Sequence, residues 1–220
     1  MHRKLSKLKF FFFSLAGIIF FASCSQSVPE LTKSNYSVVF DYLEEKDLPS
    51  ARLSVFMESE SDIRRYNRIQ ITSKESGFIW DFDEISKLSS NGIQWAGNTN
   101  LIVPQNEEIP EGLYEIIYYN ADEKNSVVYM TISYDTNLYS MTSEEVSEYM
   151  KSNNAISEIV IYDADGNILY FGNKTQQFSN VRGIWNTFSN ADSYQEIWST
   201  PGRFTICILP LKKVELSVEE

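Results

Sequence analysis

Short apolar runs separated by polar or glycine-containing connections dominate the pattern of this chain beyond its N-terminal region. Five such runs are rich in Ile, Val, Tyr and Phe, and they lie at 51–56, 68–72, 77–82, 113–119 and 127–134. Runs of this length and spacing are typical of the strands of an antiparallel β-sandwich. Clear helical periodicity is scarce, so the pattern predicts a mainly β fold.

The strongest helix signal begins at Thr142. The segment Thr142-Ser143-Glu144-Glu145 has the order of a capping box, in which a threonine hydroxyl and a glutamate carboxylate each accept a hydrogen bond from the other residue's backbone N–H. Val146, Tyr149 and Met150 follow on one side of the expected helix. The pattern therefore predicts a helix from Thr142 to about residue 151.

Two β-hairpins are also predicted. The first joins the runs at 113–119 and 127–134. The second spans 159–171, where Asp165-Gly166-Asn167 separates two apolar runs. Glycine and Asn or Asp accept the positive φ that a tight hairpin turn demands, so this segment is a strong turn signal.

The segment Ile109-Pro110-Glu111-Gly112-Leu113-Tyr114 leads into the run at 113–119. Its Pro-x-Gly-x-Tyr order resembles the beginning of a late strand in bacterial immunoglobulin-like or fibronectin-like domains. The resemblance covers about residues 48–136 and implies an antiparallel sandwich. The expected fold class is mainly β, with an immunoglobulin-like antiparallel β-sandwich followed by a smaller α+β or β unit.

The N-terminus has the three parts of an export signal, namely basic residues within 3–9, an apolar stretch at 10–21 and small residues before a cut. The apolar stretch is shorter than the roughly 20 residues of a membrane-spanning helix. Phe21-Ala22-Ser23-Cys24 resembles a lipobox, in a relaxed form because Phe21 stands where Leu is usual. The resemblance implies a bacterial lipoprotein with acylated Cys24, exported and membrane-anchored at the periplasmic face or the cell surface.

These features divide the chain into four regions. A signal peptide is expected over 1–23 and a lipidated tether over 24–37, where polar residues dominate. A β-sandwich-like domain is expected over 38–138. An α+β region with a hairpin and a C-terminal strand is expected over 139–220.

Removal of the signal peptide leaves 15 Lys and Arg against 30 Asp and Glu, a formal net charge of −15. So acidic a surface repels phosphate backbones, and nucleic acid is not an expected partner. The only histidine is His2, so histidine-dependent nucleophiles and histidine metal sites are excluded from the mature chain. No nucleophile motif is present, so neither an enzyme nor a cofactor is expected.

Cys207 has no disulfide partner once Cys24 is acylated, and it is expected in a buried strand.

Asp81 and Asp83 alternate with Trp80 and Phe82. On a strand the two carboxylates would share one face and the aromatic rings the other, which is typical of a half-buried strand. The alternative is a paired-carboxylate site for cation binding or glycoside cleavage. No metal site is expected, and Asp81 and Asp83 are weak candidates for one.

Trp95 and Trp185 lie in stretches rich in Gly and Asn that are typical of loops. Exposed indole rings can stack on sugars or anchor a protein partner, although the usual role of tryptophan is to fill a core. Both residues are therefore candidate ligand contacts.

The sequence favours a lipid-anchored, non-catalytic binding or scaffolding module of the cell envelope. Its expected partners are the membrane, reached through acylated Cys24, and a protein or glycan in the envelope or outside it. A carbohydrate-binding surface lipoprotein is the first alternative. A carboxylate-based hydrolase or a sensor accessory is the second.

Overall fold

The computed structural model describes residues 30–216 except 45–46, 61 and 106. The predicted signal peptide and Cys24 lie outside the described residues. No helix within the described part of the chain is long and apolar enough to cross a membrane.

The described residues form thirteen strands, two α-helices and four short 3-10 helices. The strands are β1 Leu31–Asp41, β2 Ser50–Ser59, β3 Tyr66–Ser73, β4 Ile79–Phe82, β5 Ser86–Ser90, β6 Ile93–Ile102, β7 Gly112–Asn120, β8 Asn125–Ile132, β9 Ile156–Asp163, β10 Ile168–Asn173, β11 Ala191–Ser199, β12 Thr205–Ile208 and β13 Lys212–Lys213. The helices are α1 Ser143–Ser152 and α2 Val181–Thr187, and the 3-10 helices are Ile63–Arg65, Thr136–Ser140, Gln176–Phe178 and Pro201–Arg203.

The strands form two open sheets. The smaller sheet has the order β4-β3-β7-β8, and the larger has the order β10-β9-β11-β12-β1-β2-β6-β5, with β13 also paired to β11. Paired strands are antiparallel except β1 and β12, which are parallel. The sets β1-β2-β6-β5 and β4-β3-β7-β8 match the A-B-E-D and C′-C-F-G orders of immunoglobulin domains. The predicted fold class is confirmed.

Alternating side chains explain why the two sheets share one core. In β2, Leu53, Val55 and Met57 are buried, while the residues between them are partly exposed. In β7, Tyr114 and Ile116 are buried in the same alternating way. A side-chain period of two puts every second residue on the inner face, so these residues pack between the sheets.

The Pro-x-Gly-x-Tyr segment leads directly into β7, which begins at its glycine, Gly112. Gly112 has a φ of +108°, and a Cβ at this position would lie 2.5 Å from the carboxyl carbon of Glu75. That carboxylate accepts a hydrogen bond of 2.8 Å from the backbone N–H of Leu113. Glycine is favoured here because another residue would be strained at this φ, and its Cβ would also displace the Glu75 carboxylate from Leu113.

The larger sheet crosses the boundary predicted at 138/139. Val38 to Asp41 of β1 pair with Thr205 to Ile208 of β12. Helix α1 adds Val146 to the core cluster that also contains Phe40. The C-terminal unit is therefore joined to the sandwich by both backbone hydrogen bonds and packed side chains.

A second, smaller core cluster lies within the C-terminal unit, between the β9–β11 part of the larger sheet and α2. Its buried members are Ile159, Ile161, Phe178, Ile184 and Ala191. Both clusters include residues of the larger sheet, so this sheet is the common element of the two units.

Local predictions in the C-terminal unit are confirmed. The hydroxyl of Thr142 accepts a hydrogen bond of 3.4 Å from the N–H of Glu145, whose carboxylate accepts one of 2.8 Å from the N–H of Thr142. The predicted hairpin is formed by β9 and β10, and Gly166 in its turn has a φ of +79°. Cys207 is buried in β12, as expected.

The tether predicted over 24–37 is wrong for its C-terminal half, whereas residues 24–29 lie outside the described residues. Strand β1 begins at Leu31 and pairs with β2 along its whole length. Tyr36 also packs against Phe204, with ring centres 5.2 Å apart. The polar side chains of residues 31–37 give no strand signal in the sequence. The strand forms nevertheless, because a β-ladder is made by backbone groups, which nearly every residue type supplies.

Candidate functional site

The outer face of the smaller sheet carries the candidate site. Its side chains alternate with buried residues such as Ile69, Ile71 and Ile116, and they therefore point away from the core. We call this surface the open face. Its members are Arg68, Gln70 and Thr72 of β3, Ile79 and Asp81 of β4, Leu113, Glu115, Ile117 and Tyr119 of β7, and Val127 and Tyr129 of β8.

Cross-strand pairing arranges the members of the open face in rows. Tyr129 lies opposite Glu115, and Val127 lies opposite Ile117. Directly opposed residues of an antiparallel pair have Cβ atoms about 4.5–5.5 Å apart. The open face is therefore one continuous surface.

Several large apolar side chains of the open face are well exposed. The exposed fraction is 54% for Ile79, 40% for Leu113, 46% for Val127 and 55% for Tyr129. An antiparallel sheet with one solvated face usually places polar residues outward. A concentration of exposed apolar groups on such a face is typical of an interaction surface.

Glu115 is held in the middle of these groups. Its Oε2 accepts a hydrogen bond of 2.8 Å from the phenol of Tyr129, and Nζ of Lys74 lies 3.4 Å from its Oε1. The hydrogen bond from Tyr129, followed by the charge of Lys74, lowers the pKa of Glu115. The same hydrogen bond raises the pKa of Tyr129. At neutral pH the pair therefore consists of a carboxylate and a neutral phenol.

Arg68 is oriented by three neighbours at one end of the open face. Its guanidinium carbon lies 4.0 Å from the centre of the Tyr119 ring. Its Nη2 lies 3.1 Å from Oε2 of Glu123, and its Nη1 lies 3.8 Å from Oδ2 of Asp81. Exposed ion pairs contribute at most about 1 kcal/mol each, so these contacts position Arg68 more than they stabilise the fold.

The structure separates the roles of the two candidate carboxylates. Asp81 lies on the open face, where Arg68 and Gln70 contact its carboxylate. Asp83 is exposed and follows the last residue of β4, Phe82, so the strand alternation does not extend to it. Among the described residues, no group of three or more His, Cys, Asp or Glu side chains is arranged to hold a metal ion.

The two candidate tryptophans lie on regular elements, so their expected placement in loops is wrong. Trp95 is on β6, opposite Glu58 of β2 and Leu88 of β5, and it is partly exposed. Trp185 is on α2, which packs through Ile184 near β9, and it is 38% exposed. Four strands separate β6 from β9 in the larger sheet, so the two rings do not share one small-ligand site.

A groove of about 610 Å³ lies at the end of the sandwich where β2 begins and β6 ends. Most of its lining is apolar, with two glutamates among the polar residues. The lining includes Leu48, Pro49, Ala51, Ile102, Val103, Pro104, Glu107, Glu108 and Tyr139. None of the residues that line this groove belongs to the open face, so the two surfaces are separate.

The open face is not apparent from the sequence. The run at 113–119 has apolar residues at both alternating sets of positions, since Leu113 and Ile117 alternate with Tyr114 and Ile116. A continuous apolar run is equally consistent with a strand that is buried on both faces and with one that has an exposed apolar face. Only the position of β7 within a two-layer sandwich leaves one of its sides exposed.

No protein-family model matches this chain, and no curated protein matches it significantly. The strand order defines its class, which is an immunoglobulin-like β-sandwich protein. More particularly, it is a sandwich whose larger sheet is extended by a C-terminal α+β unit. Folds of this kind carry many unrelated functions, so the function depends on the residues at the surface.

Proposed function

We propose that this chain is a lipid-anchored protein of the bacterial cell envelope and that its open face binds a protein partner. The lipobox-like segment Phe21-Ala22-Ser23-Cys24 supports the anchor. More than one acyl chain on Cys24 makes membrane attachment stable while the folded part stays in water. The role is binding or scaffolding, and no catalytic step is assigned.

The observation that carries the binding role is the combination of exposed apolar residues with side chains that are already oriented. Val127 and Leu113 provide exposed apolar area. Tyr129 is oriented by its hydrogen bond to Glu115, and Arg68 is oriented by its stacking on the ring of Tyr119. Oriented side chains lose less conformational entropy when a partner binds. Tyr and Arg are enriched among the residues that dominate binding energy at protein interfaces.

Photo-crosslinking in intact cells tests the proposal. A photoreactive amino acid in place of Tyr129 is expected to give a discrete crosslinked protein. The matched control places the same amino acid at Phe171, which is 53% exposed on β10 of the larger sheet. A product specific to Tyr129 supports the proposal. No product from Tyr129, or identical products from both positions, contradicts it.

A charge on the open face provides an independent test. The Val127→Asp substitution places a carboxylate within the apolar row, and it is expected to lower recovery of the crosslinked partner at least about tenfold, which corresponds to 1.4 kcal/mol. The Phe171→Asp variant is the control for a charge placed elsewhere on the surface. If Val127→Asp folds as the wild type does and recovers the partner equally well, the open face is not the binding surface.

The anchor is tested separately from the partner. Growth with an alkyne-tagged fatty acid is expected to label the wild-type chain, and the label should disappear from Cys24→Ala. That variant is also expected to leave the membrane fraction or to accumulate unprocessed. A Cys24→Ala chain that stays with the membranes and migrates as the wild type does contradicts lipidation.

A carbohydrate-binding role is the second candidate, supported by the partial exposure of Trp95 and Trp185. Tryptophan rings stack on sugars, and here each ring would form a site by itself. Titration with envelope glycans is expected to shift the tryptophan fluorescence, and the shift should be lost in either Trp95→Ala or Trp185→Ala. An unchanged wild-type spectrum across those glycans contradicts this role.

A carboxylate-based hydrolase or a sensor accessory has less support. The carboxylate of Asp81 is already engaged by Arg68 and Gln70, whereas hydrolysis requires a carboxyl pair free to meet substrate. If wild-type protein hydrolyses a glycan and the double variant Asp81→Asn, Asp83→Asn does not, the hydrolase replaces the binding role.

A further inference from the structure

The chain enters the sandwich at one identifiable pole. We call this the anchor pole, and it consists of segments 30–33, 59–60, 62–65, 87–93 and 120–125. These segments meet because the first strand, the turn after β2, the β5–β6 turn and the β7–β8 turn all lie at the same end of the two sheets.

Specific contacts hold the two sheets together at this pole. Ser59 lies opposite both Leu31 of β1 and Gln94 of β6. Its hydroxyl is 2.5 Å from the phenol of Tyr66, which in turn lies opposite Asn120 of β7. The start of β1 and the β7–β8 turn are therefore on the same side of the molecule.

The length of chain between the anchor and the fold limits how far this pole can lie from the bilayer. Residues 25–30 separate Cys24 from Leu31, the first residue of β1. A fully extended chain spans at most about 3.3–3.6 Å per residue, so this segment reaches about 25 Å. A tether ending at residue 37 would nearly double that reach, whereas β1 already begins at Leu31.

The charge of the anchor pole differs from that of the rest of the mature chain. Its segments contain five Lys and Arg and five Asp and Glu, so the whole formal charge of −15 belongs to the remainder. Lys33 and Arg65 are exposed at the pole. An anionic headgroup layer attracts basic side chains and repels an acidic body, which favours this pole as the surface nearest the lipid.

We propose that the anchor pole rests on the lipid headgroups of the bilayer that holds the acyl chains of Cys24. The inference rests on the lipidation proposed above. The strands of the sandwich then run away from the membrane, the open face stands to the side, and the groove beside Ile102 is presented at the far end. A partner reaches the open face laterally and does not have to enter the headgroup layer.

Energy transfer in vesicles tests this orientation with a matched pair of labels. The acylated mature protein carries a donor dye at Ala121→Cys, in the β7–β8 turn, or at Ala164→Cys, in the β9–β10 turn. β9 runs in the same direction as β1. Ile156, the first residue of β9, pairs with Ser199 of β11, Ser199 pairs with Ile206 of β12, and Ile206 pairs with Val39 of β1. The start of β9 is therefore level with Val39, which is eight residues along β1 from Leu31. The two turns are therefore at least about 25 Å apart along the strands.

Transfer to acceptor dyes on the headgroups is expected to be at least about twofold more efficient from Ala121→Cys than from Ala164→Cys, because of that separation. Inserting about 20 Gly and Ser residues after Ser27 adds roughly 25 Å of flexible reach and should reduce the difference. Equal transfer from the two positions without the insertion, or stronger transfer from Ala164→Cys, overturns the orientation.

A charge-reversal variant tests whether anionic headgroups attract the anchor pole. Arg65→Glu is expected to lower transfer from Ala121→Cys in vesicles that contain anionic lipid and to leave it unchanged in neutral vesicles. The same loss in both kinds of vesicle, or no loss in either, overturns headgroup attraction at this pole. A wild-type chain that carries no acyl mass and does not bind vesicles refutes the anchor itself, which is a different result from an acylated chain with the wrong orientation.

Discussion

The phenol O–H of Tyr114 donates a hydrogen bond of 2.6 Å to the carbonyl oxygen of Pro110. Tyr114 is buried near the start of β7, and Pro110 lies in the segment that leads into this strand. The arrangement is the tyrosine corner of immunoglobulin-like domains, and it ties the connection after β6 to the sandwich core.

Loss of this hydrogen bond should destabilise the fold. Tyr114→Phe keeps the ring in the core but leaves the carbonyl of Pro110 without its donor, so the free energy of unfolding is expected to fall by about 1–3 kcal/mol. Urea unfolding measures the change. Tyr129→Phe is the control, because an exposed phenol should cost no more than about 0.5 kcal/mol. Equal losses in the two variants would argue against a special role for the corner.

The shared core predicts that the sandwich and the C-terminal unit unfold together. Phe40 is fully buried, and the centre of its ring lies 5.1 Å from the centre of the Tyr139 ring. In the larger sheet Phe40 of β1 lies opposite Cys207 of β12. Phe40→Ala is expected to lower the free energy of unfolding by about 3–5 kcal/mol in one cooperative transition. Fluorescence and circular dichroism should report the same midpoint.

A substitution in the other core cluster completes this test. Ile161→Ala removes buried side-chain atoms from the C-terminal unit alone, yet it should shift the same single transition. Two separate midpoints, with Ile161→Ala moving one of them only, would instead support independent folding of the regions 38–138 and 139–220.

Burial should make Cys207 unreactive in the folded protein. Desolvation raises the pKa of its thiol to about 12, so very little thiolate forms at mildly alkaline pH. A thiol reagent is expected to leave the native chain unmodified and to react fully in concentrated urea. Phe40→Ala should increase native reactivity, because it opens packing beside β12. Native Cys207 reacting as fast as the unfolded chain would show that β12 is accessible.

The hydrogen bond between Tyr129 and Glu115 predicts a specific pH dependence. Tyr129→Phe should raise the pKa of Glu115 toward its ordinary value of about 4.3, because the donor that favours the carboxylate is removed. Carbon-13 NMR titration of the labelled side chain measures this shift, with Lys74→Gln as the control for the smaller charge effect. An unchanged pKa in Tyr129→Phe would mean that the hydrogen bond is not formed in solution.

The same shift has a consequence for stability. Because folding lowers the pKa of Glu115, its contribution to stability is complete above the unfolded pKa and is lost as the pH falls through the folded value. Wild type and Tyr129→Phe should therefore differ most near neutral pH and converge in acid. A difference that grows with acidity would have the wrong sign for this carboxylate.

Part of the candidate site could be found in the sequence, although for a different reason. The sequence pattern pairs Asp81 with Asp83, whereas in the structure the neighbours of Asp81 are Arg68 and Gln70 from β3. The alternation of Asp81 with Trp80 and Phe82 correctly places it on the exposed side of its strand. Its partners could not be predicted, because they depend on the register between β3 and β4.

Features that depend on residues close together in the chain can be predicted from the sequence. The capping box at Thr142, the turn at Gly166 and the mainly β pattern all follow from local spacing and backbone preference. The sequence does not show that β1 starts at Leu31, that it pairs with β12, or that one apolar side of β7 is left exposed. Those outcomes depend on backbone hydrogen bonds and layers supplied by distant segments, and backbone groups are nearly the same for every residue type.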